Sequence, residues 1–237
     1  MSPLIPLVAG LVALVAGVLV LRTYGPSYRV GRLLAATRTV SIDEALALAP
    51  GPARYVRVSG RIDAEQEFED DAHRPLVFRR TRLQLQDGDH WITFEDNRER
   101  VDFEVREGLD GIAVDDGVLD AGLVVISRQS VGTAADVADR VPAGTAATTP
   151  VRLRIDQVSS IEHAIVLGVP SLDPAGQPRI SAGLGRPLIL TTLEPDEAMR
   201  VLAEGERRRP LIATACLIGG LGLIGFAGVL AIVGAVA

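Results

Sequence analysis

The 237-residue chain contains no lysine, a single cysteine and few aromatic side chains, which make up 4% of it. The lone cysteine, Cys216, excludes an internal disulfide and fits a reducing compartment. Because lysine is absent, all 24 basic residues are arginines, a pattern that codon usage in a GC-rich genome explains without any function. The formal net charge of −6 argues against a nucleic-acid partner, which would favour a net basic face.

Charged residues are also absent from both ends of the chain. The runs Leu4–Leu21 and Leu211–Ala237 contain no Asp, Glu, Arg or His, and about 18 apolar residues suffice for a helix to cross the hydrocarbon core of a bilayer. We predict two transmembrane helices, in residues 1–21 and 207–237, that flank a soluble domain. A cleaved signal peptide, the alternative for the first run, would need basic residues before that run, and here they follow it.

Arginines lie on the inner side of both apolar runs. Basic residues next to a span resist export, whereas acidic residues have little effect. We therefore predict that the soluble domain is cytoplasmic, that both termini lie on the opposite side, and that the lipid bilayer is a partner. The flanking arginines are Arg22, Arg29, Arg32, Arg207, Arg208 and Arg209.

Small residues recur regularly in both apolar runs. In lipid, helices associate where small residues let their backbones approach closely. We expect the two helices to pack on each other or across protomers, and the second arrangement would give a homo-oligomer. The alternative is that glycine is simply common in membrane spans. The recurring residues are Ala9, Ala13 and Gly17 in the first run and Gly219, Gly222, Gly225 and Gly228 in the second.

A linker and a short capped helix are predicted for residues 22–53. Ser41 and Glu44 have the Ser-x-x-Glu spacing of a capping box, in which each side chain accepts from a backbone N–H of the other residue. A helix of about two turns should follow Ser41 and end before Pro50.

After residue 53 the pattern changes to strands. Apolar stretches, some alternating strictly like Val101–Arg106, are separated by turns rich in Gly, Pro and Asp, and residues 133–149 are predicted to be a surface excursion. Pro195 and the two acids after it open a last helix. Residues 54–206 should form a mainly antiparallel β domain that ends in a helix, within a mixed α+β fold. The expected strands include Tyr55–Ile62, Leu76–Phe78, Trp91–Phe94, Gly111–Val114, Leu123–Ile126, Val151–Ile155, Ala164–Val169 and Leu188–Thr191.

Two segments of this domain resemble each other. Val56–Gly60 precedes Arg74–Phe78, and Ile165–Gly168 precedes Arg186–Leu190. In each case an apolar strand with a terminal glycine is followed by a turn-rich insert and by Arg-Pro-Leu. This suggests the hypothesis of two similar β-units.

The order of features resembles a known family. A first span, the stretch Ser41–Ala49, the segments Tyr55–Gly60 and Glu162–Gly168, and a terminal span together are similar to the GIDE or "beside a membrane" domain. This domain is best known from the mitochondrial E3 ubiquitin ligases named MULAN or GIDE. The resemblance implies a domain between two spans that recruits partners, while a zinc-binding RING performs the ubiquitin transfer.

The RING itself is missing from this sequence. A RING holds two tetrahedral zinc ions and therefore needs eight Cys or His ligands. The chain has four such residues, Cys216 and the widely separated His73, His90 and His163. The resemblance consequently supplies no catalytic residue to any position of this chain, and a ligase would have to act through another protein.

One acidic segment is a candidate cation site. Glu67, Glu69, Asp70 and Asp71 precede His73, and carboxylate oxygens are the ligands that Ca²⁺ and Mg²⁺ prefer. The alternative is that these charges only solvate an exposed connection. Apart from this segment we expect no metal, no cofactor and no catalytic residue.

The predicted function is that of a membrane-anchored cytoplasmic recognition or scaffolding module. Attachment at both ends would raise the concentration of the domain near the membrane surface and favour capture of a protein partner there. The alternatives are an enzyme or enzyme subunit and a sensor of a small ligand or cation.

Overall fold

The computed structural model describes residues 4–119, 122–204 and 208–236, and for 21–27, 203–204, 208–211 and 230–236 it describes the backbone alone. The chain divides into two compact units. A helical unit combines both ends of the chain, up to Ala35 and from Met199 onward, and a β-body comprises Ala36–Ala198. The fold is mixed α+β, as the sequence predicts.

Four α-helices occur in the described residues: α1 (Leu4–Ala36), α2 (Ile42–Leu48), α3 (Pro195–Glu204) and α4 (Arg208–Val236). By length and composition, one stretch of these residues, Ile212–Val229 in α4, suffices to cross a membrane. The apolar part of α1, Leu4–Val20, is shorter. The prediction of two flanking spans is therefore supported at the C-terminal end only.

Helix α1 extends well beyond its apolar part. The predicted linker from residue 22 is wrong for residues 22–36, because the helix continues to Ala36. Val30 and Leu34, four residues apart on one helix face, are buried. Between them Gly31 lies against α3, where an added Cβ would be 3.1 Å from the sulfur of Met199. This packing explains why the segment stays helical.

Helices α1 and α4 contact each other through glycines. A Cβ added at Gly10 would lie 2.8 Å from the carbonyl oxygen of Gly220, and one added at Gly220 would lie 2.9 Å from the carbonyl oxygen of Gly10. Further along, an added Cβ at Gly17 would be 3.1 Å from Leu217 and 3.3 Å from the Cβ of Cys216. The backbones approach so closely because neither glycine of the first pair has a side chain.

The glycines predicted to mediate helix packing in α4 lie elsewhere. A Cβ added at any of them would meet nothing within 4 Å. The residues of α4 that contact α1 recur every three or four positions, as in Leu217, Gly220 and Ile224, whereas a strict three-residue repeat drifts around the helix. Within one chain this part of the packing prediction is wrong, and contact across protomers remains a prediction. The glycines concerned are Gly219, Gly222, Gly225 and Gly228; on α1, Ala13 is half-buried and Ala9 is exposed.

Helix α2 begins where the sequence predicts it. The hydroxyl of Ser41 accepts a hydrogen bond from the backbone N–H of Glu44 at 3.2 Å, which satisfies one free donor of the first turn. The carboxylate of Glu44 instead accepts from Arg38 at 3.0 Å. The N-terminal half of the predicted capping box is therefore present.

The β-body contains two sheets. The first has the order β1-β5-β6-β11-β10-β12-β7, and since β1 also pairs with β10, five of its strands close into a ring. The second has the order β2-β3-β9-β8, with β4 paired to β3. In chain order the strands are β1 (Val56–Asp63), β2 (Phe68–Glu69), β3 (Pro75–Asp87), β4 (His90–Arg100), β5 (Glu104–Glu107), β6 (Asp110–Val114), β7 (Leu123–Val124), β8 (Arg128–Thr133), β9 (Pro150–Ser159), β10 (His163–Leu172), β11 (Pro178–Ser181) and β12 (Ile189–Thr191).

Two glycines allow the ring to close. A Cβ added at Gly60 in β1 would lie 2.3 Å from the carbonyl oxygen of Arg106, and one added at Gly168 in β10 would lie 2.7 Å from that of Ser181. Glycine inside a strand is typical of such close approaches of two backbones. Both glycines belong to the two similar segments, which pair with each other through β1 and β10.

The continuations of these segments differ. Strand β12 pairs with β10 in the first sheet, whereas β3 lies in the second sheet and not beside β1. The two segments therefore occupy different positions in the fold, and the pairing gives no support to two equivalent β-units.

Both sheets contribute to one apolar core. Inside the first sheet Val58, Ile112 and Ile180 are fully buried, and Ile42 of α2 covers the same cluster. A smaller cluster lies on one face of the second sheet, where the short 3-10 helix Ala134–Val137 covers Leu83 and Val151. The predicted excursion of residues 133–149 thus covers that face, and the opposite face of the second sheet is polar.

Candidate ligand-binding surface

The polar face of the second sheet carries five arginines, which we call the arginine face. The register places Arg80 and Arg82 of β3 opposite Asp156 and Arg154 of β9, and Gln84 opposite Arg152. On the other side, β4 places Arg98, Asp96, Thr93 and Trp91 on the same face. Since side chains alternate along a strand, all of these point to one side of the sheet. The arginine face comprises Arg80, Arg82, Arg98, Arg152 and Arg154 with Asp96 and Asp156.

Two carboxylates neutralise part of this charge. Arg80 donates to both oxygens of Asp96, at 2.8 Å from Nε and 2.7 Å from Nη2. The hydrogen bonds from Arg80 are the main cause that holds the pKa of Asp96 below its usual value. Asp156, which is buried, accepts from Arg82 and from the hydroxyl of Ser127 and lies 3.4 Å from Nε of Arg154.

Arg152 has no carboxylate partner among the described residues. Its Nε donates to the side-chain oxygen of Gln84 at 2.8 Å, and its guanidinium lies over the ring of Trp91, 4.5 Å from the centroid. Burial lowers the pKa of Arg152, and the positive charges of Arg154 and Arg82 lower it further. Arginine stays protonated in proteins, so the charge of Arg152 is held against this repulsion.

The neighbours of Arg152 also keep unused donors. Nε of Arg82 is buried and has no hydrogen-bond partner in the described part of the chain. Arg154 uses its Nε for Ser127, at 3.0 Å, and for Asp156. Arg82 and Arg154 thus share one carboxylate and Arg152 has none among the described residues, in a β-body whose sequence holds 17 arginines and 28 acidic residues. Such a local excess of positive charge suits an anionic ligand.

A second concave region of the β-body is acidic. Glu65, Asp102 and Asp116 line a cleft of about 420 Å³ together with Arg100. Burial raises the pKa of Asp116, and the nearby Asp102 and Asp115 add to this rise while Arg100 opposes it. Among the residues that the structure describes, the cleft lining holds no Ser, Cys, His or Lys that could act as a nucleophile or a neutral base.

The candidate cation residues do not converge on a site. The Asp70 carboxylate accepts from Nε of Arg74 at 2.8 Å and from the backbone N–H groups of Ala72 and Arg74. Glu69 pairs with His73 at 2.7 Å, while Glu67 and Asp71 are exposed. Among the described residues no group of three His, Cys, Asp or Glu side chains could hold a metal ion. The sequence-based cation site is therefore not assembled in this structure.

The predicted membrane-flanking arginines are described only in part. Arg29 and Arg32 lie on the exposed side of α1. Arg22, Arg208 and Arg209 belong to α1 and α4, where only their backbone is described, and Arg207 lies outside the described residues.

The arginine face was not predicted from the sequence, although the signal was present. Arg80 and Arg82, and likewise Arg152 and Arg154, are two residues apart, so each pair must lie on one side of its strand. What the sequence did not disclose is that β3 and β9, more than 60 residues apart along the chain, are neighbours.

Comparison of the chain with protein-family models, with curated proteins and with solved structures gives no match.

Proposed function

We propose that the protein is a membrane-anchored recognition or scaffolding module of the GIDE-like type, whose β-body binds a protein partner at the membrane surface. The observation that carries this proposal is the arginine face, where Arg82 and Arg154 share the carboxylate of Asp156 and the neighbouring Arg152 pairs with no carboxylate of the described residues. A surface that keeps uncompensated charge and unused donors is suited to a partner that supplies the missing anion.

The proposed location is an integral membrane protein with two spans and a cytoplasmic β-body. The apolar stretch Ile212–Val229 supports one span, and the run Leu4–Leu21 is offered as the other. The arginines that flank both apolar runs support a cytoplasmic location of the β-body. Protease added outside intact cells should leave the β-body uncut, and digestion of the β-body there would refute this orientation.

The recognition function can be tested by photo-crosslinking in native membranes. A photoreactive residue in place of Gln129, which is opposite Arg154 in the register, should give a defined adduct with one protein. The same residue in place of Leu109, which is 93% exposed in the turn between β5 and β6, serves as the surface control. The adduct at position 129 should disappear when Arg152→Gln is added. Adducts of equal pattern at both positions would contradict a specific partner.

An enzyme is the second candidate function, and the raised pKa of Asp116 in the acidic cleft is the observation that favours it. A protonated carboxylic acid in a cleft can act as a general acid. If the protein turns over a substrate, Asp116→Asn should abolish the reaction while the protein stays folded.

A further inference from the structure

The central part of the arginine face has the composition of an anion site. Arg82 and Arg154 are directly opposite each other on β3 and β9, and Arg152 follows on the same side of β9. Like charges that face each other across a sheet destabilise it. Among the described residues Asp156 is the one carboxylate in this group, and it contacts Arg82 and Arg154 but not Arg152. The three arginines and Asp156 together carry a formal charge of +2.

We propose that Arg82, Arg152 and Arg154 form a binding site for a phosphate monoester group. A phosphate monoester carries a charge between about −1.5 and −2 near pH 7, which matches the local excess better than one carboxylate. Guanidiniums bind phosphate oxygens through paired N–H donors. The inference deepens the proposed recognition function, because it names the chemical group that the arginine face takes.

The donors that a phosphate needs are already in place. The terminal nitrogens of Arg152 and Arg154 make no hydrogen bond to any described residue, since both side chains use Nε for their contacts with Gln84 and Ser127. Gln84 is 8% exposed, and its side-chain amide donates to the hydroxyl of Thr93 at 3.0 Å. This bond holds the side chain of Gln84 in place, and the oxygen of Gln84 in turn orients Arg152. The buried Nε of Arg82 adds one more unused donor.

The position of Trp91 gives a direct measurement of binding. Trp91 is the single tryptophan of the chain, and its ring contacts the guanidinium of Arg152. A phosphate that engages Arg152 should change the fluorescence of Trp91. Full-length protein in detergent is titrated with O-phosphoserine at constant ionic strength, and with nanodiscs that contain phosphatidic acid in a second arm.

Variants distinguish binding at these three arginines from nonspecific attraction of an anion to positive charge. Arg152→Gln should weaken binding at least tenfold, and Arg152→Lys should weaken it as well, because lysine keeps the charge but loses the paired donors. Arg79→Gln is the matched control, since Arg79 lies on β3 like Arg82 but pairs with Glu99 on the opposite face, and it should change the affinity less than twofold. Circular dichroism checks the fold of each variant, and Arg154→Gln replaces Arg152→Gln if the latter does not fold.

The outcomes are distinct. Binding of O-phosphoserine that Arg152→Gln removes supports the site with a soluble source of phosphate, and binding only to the phosphatidic acid nanodiscs supports it with a lipid source. No saturable change of Trp91 fluorescence in either arm, or equal loss in Arg79→Gln, would overturn the inference. If no phosphate binding is seen but the specific adduct at position 129 forms, the recognition function stands and the phosphate site is refuted. If phosphate binds but no adduct forms, the phosphate site stands and recognition of a protein partner is refuted.

Discussion

The guanidinium of Arg152 on β9 lies over the ring of Trp91 on β4, with 4.5 Å between the guanidinium carbon and the ring centroid. These two strands are separated by β3 and are not neighbours. The contact therefore reaches across the middle strand, above Gln84. It holds a charged side chain in one place on a face where the neighbouring arginines repel it.

Replacement of Trp91 should show the strength of this contact. Trp91→Leu removes the aromatic face and should lower the free energy of unfolding by about 0.5–2 kcal/mol, as expected for a cation–π pair that is partly shielded from water. Urea titration followed by circular dichroism measures the change. Trp91→Phe should lose less, because it keeps an aromatic ring. A double-mutant cycle with Arg152→Gln isolates the pair, and zero coupling energy would contradict the interaction.

Gly60 should tolerate no side chain. An added Cβ would lie 2.3 Å from the carbonyl oxygen of Arg106, which belongs to the backbone of β5 and cannot rotate away. Gly60→Ala should therefore lower the free energy of unfolding by about 1–3 kcal/mol, a typical cost of overpacking. The neighbouring Ser59→Ala, in the same strand, should change it by no more than about 0.5 kcal/mol. Equal stability of both variants would show that β1 and β5 are further apart.

Local signals in the sequence predicted much of the fold. The Ser41 cap and the start of α3 at Pro195 are confirmed, because each depends on a few adjacent residues. The period-two pattern of Val101–Arg106 predicted one strand, but the structure has none over residues 101–103. There the chain passes from β4 in the second sheet to β5 in the first.

Features that depend on distant residues could not be predicted in this way. Strand β8 was missed because all six of its residues are exposed, so it has no alternation of buried and exposed positions. The closure of the ring depends on the pairing of β1 with β10, about 100 residues later in the chain. The arginine face required the same kind of information, namely which strands lie side by side.

Tyr55 should titrate far above an ordinary tyrosine. Its hydroxyl donates to the carbonyl oxygen of Pro187 at 2.6 Å, and burial raises the pKa of Tyr55 to about 12, an effect that the nearby Arg186 reduces in part. The folded protein thus holds this proton more tightly than the unfolded chain, whose tyrosines have a pKa near 10. The contribution of Tyr55 to the free energy of unfolding is fully present below pH 10 and is lost as the pH rises from about 10 to about 12.

The variant Tyr55→Phe tests this assignment. It should remove the absorbance step at 295 nm near pH 12 and flatten the fall in stability over the same range. At pH 7 it should lower the free energy of unfolding by about 1–2 kcal/mol, because the carbonyl of Pro187 loses its donor. Tyr28→Phe is the control and should keep the step near pH 12. If the step survives in Tyr55→Phe, the high pKa belongs to another residue.

The contact of α1 with α4 can be captured by a disulfide to the native cysteine. A Cβ at Gly17 would lie 3.3 Å from the Cβ of Cys216, close to the separation of about 3.8 Å in disulfides. Gly17→Cys should therefore form an intramolecular bond with Cys216 under mild oxidation. After protease cleavage within the β-body, the two terminal fragments should stay together until a reductant is added. Val18→Cys, one position along and 48% exposed, is the control and should not form the bond.

The same assay distinguishes the two glycine faces of α4. Adding Gly220→Leu to Gly17→Cys should strongly reduce the yield of the disulfide, because Gly220 lies against Gly10 and a side chain there pushes the helices apart. Adding Gly222→Leu should leave the yield unchanged, since a Cβ at Gly222 meets nothing within 4 Å. Leucine at either position makes α4 equally apolar, so a difference in yield reflects contact and not hydrophobicity. Equal yields in the two double variants, or a disulfide that links two chains instead of one, would contradict the packing of α1 on α4 within a protomer.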